Sequence, residues 1–120
     1  MHTSPFENTI WVLTHLADAD GALEPALPDA RATIEFAEGR VGGSASCNRF
    51  TTSGPLTEIP DAIAITMMMC PEPAMEQERR YLGLLPLIAE VRLEDDTLVA
   101  TDADERDILV WVFDEGPEDG

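Results

Sequence analysis

Few side chains in this sequence can do covalent or proton-transfer chemistry. Its only thiols are Cys47 and Cys70, and its only histidines are His2 and His15. Asn48 and Arg49 follow Cys47, and a nearby guanidinium can lower a thiol pKa, the requirement for a thiol enzyme or redox sensor. A cysteine nucleophile also needs a general base. His2 lies in a polar tail and His15 in an apolar run, with no motif around either. No CxxC pair exists, so the two cysteines are not spaced as zinc ligands. Two structural roles stay open. They are small buried hydrophobes, or one disulfide worth about 3 kcal/mol that requires an oxidising compartment.

Three other clusters invite a chemical reading. Met67-Met68-Met69 offers soft thioethers of the kind that bind Cu(I). Consecutive strand residues point to opposite faces, so the three cannot converge on one ion, and core packing is the expected role. Asp102-Ala103-Asp104-Glu105 alternates acids but lacks the central glycine and distal glutamate of a calcium loop, so a solvated turn is expected. Gly42-Gly43 is followed by strand-like sequence with neither lysine nor helix, unlike a phosphate loop.

The elements that must position these groups are mostly strands. Thr9–Leu16 is rich in β-branched and aromatic residues, and Ala32–Phe36 alternates apolar with polar. Glu38-Gly39 turns the chain, and Arg40–Ala45 returns, its glycines marking a bulge or a close backbone approach. Asp18–Asp29 reads as a loop and Ser53-Gly54-Pro55 as a turn. Ala62–Met69 reads as a strand buried on at least one face. Pro71-Glu72-Pro73 starts a helix over Ala74–Leu85, which Pro86 ends. Its apolar stripe holds Ala74, Met75, Tyr81, Leu82 and Leu85, while Glu76, Arg79 and Arg80 face away. Glu78 falls inside the stripe. A carboxylate buried there needs a partner, either Arg49 or the backbone amides of the Cys47–Arg49 turn; the bland alternative is a rim position reaching water. Glu90–Glu94 and Thr97–Ala100 form a hairpin about Asp95-Asp96. Ile108–Phe113 is a final strand buried on both faces. The expected fold is mainly β with one helix: an antiparallel β-barrel-like or strongly curved sheet of about seven or eight strands, with the single helix packed on it.

Length and charge set the class. With 120 residues, 44% of them hydrophobic, the chain suits one domain with its own core. It divides into a tail over 1–8, a domain over 9–113 and an acidic tail over 114–120. No apolar run approaches the ~18 residues of a membrane span. Acids number 24 against 7 bases, all arginine, for a net charge of -17. Such a chain repels nucleic acid and anionic lipid at long range. Met1–Phe6 has no basic n-region and no apolar h-region, so the chain is expected to be cytoplasmic or a trimmed mature form.

Gly43-Ser44-Ala45-Ser46-Cys47-Asn48-Arg49-Phe50 resembles the G-x-x-G/S-C-N-R-aromatic signature of the META domain family, that of the heat-shock protein HslJ. Thr66-Met67-Met68-Met69-Cys70-Pro71 is similar to the family's T-x-M-x-C-P, and Met75, Glu78 and Tyr81-Leu82 to its helix motif. Val91–Leu98 is similar to its closing hairpin, and Trp11 with Leu13 to its opening strand. The likeness spans residues 9–113. It departs at Phe50–Thr66, which looks short, and near Asp96, where the hairpin glycine is absent. The resemblance implies a β-barrel-like domain with one helix and no enzyme activity. Family members are often bacterial envelope proteins or lipoproteins linked to stress or antibiotic tolerance.

These readings lead to a non-enzymatic, stress- or envelope-associated structural or binding protein. The alternatives are a small-molecule or lipid carrier using the barrel interior and a thiol enzyme or redox sensor at Cys47. No cofactor or metal is expected. A protein partner, a monomeric state and no membrane insertion are expected. Localisation is periplasmic or envelope-associated if a signal peptide was removed, otherwise cytoplasmic. The acidity is either a solvated, self-repelling surface or an adaptation to high salt, where screening relieves the repulsion. On the second reading the melting temperature rises with added NaCl; a melting temperature that salt leaves unchanged means the repulsion is not an important cost.

Overall fold

A computed structural model of the chain describes residues 9–37, 40–53 and 64–114. Strands β1 (Thr9–Ala17), β2 (Leu23–Pro25), β3 (Thr33–Ala37), β4 (Arg40–Ser44), β5 (Arg49–Ser53) and β6 (Ala64–Ile65) precede helix α1 (Glu72–Leu84). A 3-10 turn over Leu85–Leu87 leads to β7 (Glu90–Glu94), β8 (Thr97–Thr101) and β9 (Asp107–Phe113). All strand pairs are antiparallel, in the order β6-β5-β4-β3-β1-β9-β8-β7, with β2 added beside β1.

Among the described residues the sheet is strongly curved and does not close. Phe50 on β5 and Trp111 on β9 lie four strands apart in this order, about 19 Å on a flat sheet. Yet both rings pack edge-on against Tyr81 of α1, with centroids 5.8 and 6.5 Å away. The sheet therefore rolls around the helix face. Phe50, Tyr81, Trp111, Leu16, Ile34, Leu85, Leu98 and Leu109 are fully buried in the core this creates. The Tyr81 hydroxyl donates to the Thr33 carbonyl (2.8 Å) and accepts from Trp111 Nε1 (3.0 Å), so both buried polar tips are satisfied. Burial pushes the Tyr81 pKa well above the ordinary tyrosine value.

Several expectations need correction. Asp18–Asp29 is not all loop. Asp18 Oδ1 accepts from the backbone N–H groups of Asp20 and Ala22, tightening the turn so that the exposed β2 pairs with His15–Ala17. Arg49–Ser53 is a strand that its polar composition concealed, paired on both sides by β4 and β6. Ala62–Met69 is not one buried strand. Residues 62 and 63 lie outside the described residues, β6 holds only Ala64 and Ile65, and Met67, Met68 and Met69 are 90, 55 and 88% exposed. The methionines therefore do not pack in the core. Cys70 is tied to Cys47 and the Asn48 side chain takes the Met68 backbone, holding this segment outside the core. Arg80 does not point wholly away; its guanidinium donates to the Leu16 and Ala17 carbonyls (3.4 and 3.1 Å). The last strand is buried on both faces only at Ile108-Leu109, and Phe113 is exposed.

The turns follow their chemistry. Asp95 (φ 57°) adopts the left-handed conformation in the β7–β8 hairpin where the resemblance led one to expect a glycine. The turns at 38–39 and 54–55 lie outside the described residues. Gly43 (φ 148°) marks the closest backbone approach: a Cβ there would stand 2.5 Å from the Thr33 carbonyl oxygen. Gly83, near the end of α1, has nothing beyond its chain neighbours and its own helix backbone within 4 Å of its would-be Cβ. Gly43→Ala should lose about 3 kcal/mol, roughly 12 °C in melting temperature. Gly83→Ala should gain about 0.5–1 kcal/mol through helix propensity. Thermal unfolding of the two variants checks both signs.

Candidate functional site

Cys47, Asn48, Cys70 and Glu78 meet where the β4–β5 turn faces α1. The turn runs Ala45-Ser46-Cys47-Asn48 and is closed by Ala45 N–H donating to the Asn48 carbonyl (2.7 Å). Ser46 carries φ 106° within it. Cys47 is bonded to Cys70, with Cα atoms 6.0 Å apart. Cys70 precedes the helix, so the disulfide joins the turn to the helix entry.

Glu78 comes from the helix side and is 4% exposed. Its Oε1 accepts from the backbone N–H groups of Cys47 (3.0 Å) and Asn48 (2.7 Å), and its Oε2 from Asn48 Nδ2 (2.8 Å). Of the partners expected for Glu78, the structure selects the turn amides. Arg49 instead lies exposed and pairs with Glu35 at 3.1 Å. Phe50 is buried against Tyr81.

Asn48, also 4% exposed, has every polar site occupied. Beyond Glu78, its Nδ2 donates to the Met68 carbonyl (3.2 Å), and its Oδ1 accepts from Met68 N–H (2.6 Å) and the Thr66 hydroxyl (2.9 Å). One side-chain amide thus pairs with both backbone groups of one residue, as a neighbouring strand would. Thr66 Oγ1 accepts from Arg49 N–H (3.0 Å), and Thr66 N–H donates to the Arg49 carbonyl (3.0 Å).

Gln77 was not foreseen. It is buried, accepts from Leu27 N–H (2.7 Å), and donates to the Ala30 carbonyl (2.7 Å) and the Ser46 hydroxyl (2.8 Å). Its signal was present: Gln77 is three residues after Ala74 and four before Tyr81, hence on the same helix face.

The chemical readings resolve at this site. Among the described residues both cysteines belong to the disulfide, so Cys47 presents no thiolate. His15 Nδ1 lies 3.0 Å from the Thr14 hydroxyl on β1, and His2 lies outside the described residues. The turn amides that could hold an anion hold Glu78. The Asp102 carboxylate accepts from the backbone N–H groups of Asp104 and Arg106 and from the Arg106 guanidinium (2.9, 3.0 and 3.3 Å). The Arg106 backbone N–H, foremost, holds the Asp102 pKa below the ordinary carboxylate value. An open groove of about 430 Å³ runs beside the disulfide, lined by Leu27, Pro28, Ala30, Ser46, Pro71 and Ala74.

Glu78→Gln keeps an oxygen for the two backbone donors but sets an NH₂ against Asn48 Nδ2. It should cost about 2 kcal/mol, roughly 8 °C in melting temperature. Glu76→Gln, on the exposed side of α1, should stay within about 0.5 kcal/mol. Thermal melts of both variants at neutral pH test this; equal melting temperatures would remove the clamp.

The comparisons with known proteins agree with this geometry. The profile of the META domain matches residues 4–114. A solved NMR structure is 25% identical, with a TM-score of 0.62, over 92% of this chain and 95% of its own. No curated protein matches.

Proposed function

Given that this chain belongs to the META domain family, we propose that it is a non-catalytic binding or structural domain, held rigid by its disulfide and acting in an oxidising, extracytoplasmic compartment under stress. The supporting observation is the state of the motif residues. Cys47 is bonded to Cys70, Asn48 has all its polar sites occupied, and Glu78 accepts three hydrogen bonds. An acid–base or nucleophilic centre keeps a group free to meet substrate. These groups meet one another. The carrier alternative needs a hollow interior, and among the described residues the interior holds Phe50, Tyr81, Trp111 and their neighbours. The disulfide supports the compartment, because cytosolic reductants keep ordinary protein thiols reduced.

The test separates a structural Glu78 from a catalytic one. A strain lacking the chain is grown under envelope stress and complemented with the Glu78→Gln variant. At a growth temperature well below the variant's melting point, rescue should match that by the parent chain. Failure to rescue with the variant folded would overturn the non-catalytic reading. The compartment has its own test. Chain taken from acid-quenched cells should label with maleimide only after reduction, and labelling without reduction would overturn the assignment. The Cys47–Cys70 loop has a sequence separation of 23, so reduction should cost about 3.5 kcal/mol, roughly 14 °C in melting temperature.

A further inference from the structure

Methionine side chains are ordinarily buried, yet this chain holds three in a row in the open. Met67 and Met69 are 90 and 88% exposed, and Met68 between them is 55% exposed. The main chain beneath them is tightly held. Thr66 pairs with Arg49 through backbone and hydroxyl, both backbone groups of Met68 bond to Asn48, and Cys70 is covalently tied to Cys47. The thioethers therefore stand on a main-chain track anchored at Thr66, Met68 and Cys70.

That track has a geometric consequence. Residues i and i+2 of an extended segment project to the same side, with Cα atoms about 7 Å apart. Met67 and Met69 are the more exposed pair of the triplet, with Met68 less exposed between them. Each side chain has three rotatable bonds, which lets both sulfurs close on one ion.

We propose that Met67 and Met69 form a two-thioether surface site for a soft monovalent cation, Cu(I) by chemical class. Thioethers favour such an ion over hard divalent cations. With both thiols in the disulfide, methionine supplies the free sulfur donors among the described residues. A net charge of -17 draws cations to the surface. A thioether has no proton to lose, so binding is independent of pH where histidine or thiolate sites are not. The site is independent of the non-catalytic reading above.

The probe is Ag(I), a redox-inert stand-in, titrated into the whole chain in chloride-free buffer with ¹³C-labelled methionine methyl groups. Stoichiometric shifts are expected at Met67 and Met69, smaller ones at Met68 and none at the half-buried Met75 of α1. The double variant Met67→Leu/Met69→Leu should bind at least tenfold more weakly and Met68→Leu less than threefold, each melting within about 1 °C of the parent because these side chains pack on little. Leucine keeps the apolar bulk, so a surface used only for hydrophobic contact would survive the change. Three results overturn the site. They are a double variant binding within twofold of the parent, a Met68→Leu loss as large as the double variant's, or a tenfold fall in affinity between pH 7.5 and 5.5.

Discussion

A carboxylate in the apolar stripe of the only helix among the described residues constrains the fold more than any other group. Removed from water, the Glu78 carboxylate would destabilise the fold by several kcal/mol unless donors surrounded it. The β4–β5 turn supplies two backbone N–H groups and the Asn48 amide. Those donors can converge only if the turn takes one conformation, and Gly43 allows β4 to pass close enough to Thr33 to reach it. The helix position and the turn conformation are thus one condition.

Asn48 extends that condition to the next segment. Its amide serves the Met68 backbone as a strand would, so residues 66–68 stay ordered beyond the two-residue β6. The disulfide repeats the connection covalently, from the turn to the helix entry. Gln77, one residue before Glu78, holds the other flank by binding Leu27, Ala30 and Ser46. Below this layer Tyr81 gathers Phe50 and Trp111, setting how far the sheet must roll. The polar clamp fixes where the helix enters, and the aromatic cluster fixes how deeply it sits.

A site in which Asn48 and Glu78 already have internal partners is well built for rigidity. The Met68 backbone is tied to Asn48, and the thioethers of Met67 and Met69 lie in solvent. The buried polar motif and the exposed apolar triplet meet through the bonds between Asn48 and the Met68 backbone.

By itself the sequence determined the class of fold, the helix, most strands and the need of Glu78 for a partner. These are local properties. Apolar alternation marks strands, prolines and acids mark a helix start, and a lone acid in an apolar stripe is anomalous at any position. It left open whether Glu78 binds Arg49 or the turn amides, and whether the cysteines pair. It missed β2, β5, the role of Gln77 and the exposure of Met67–Met69. Those depended on tertiary structure, because periodicity reports which side of a segment is apolar and not what lies opposite. The triplet reads as core because nothing in its own residues shows that an asparagine 20 positions earlier takes the place of a strand.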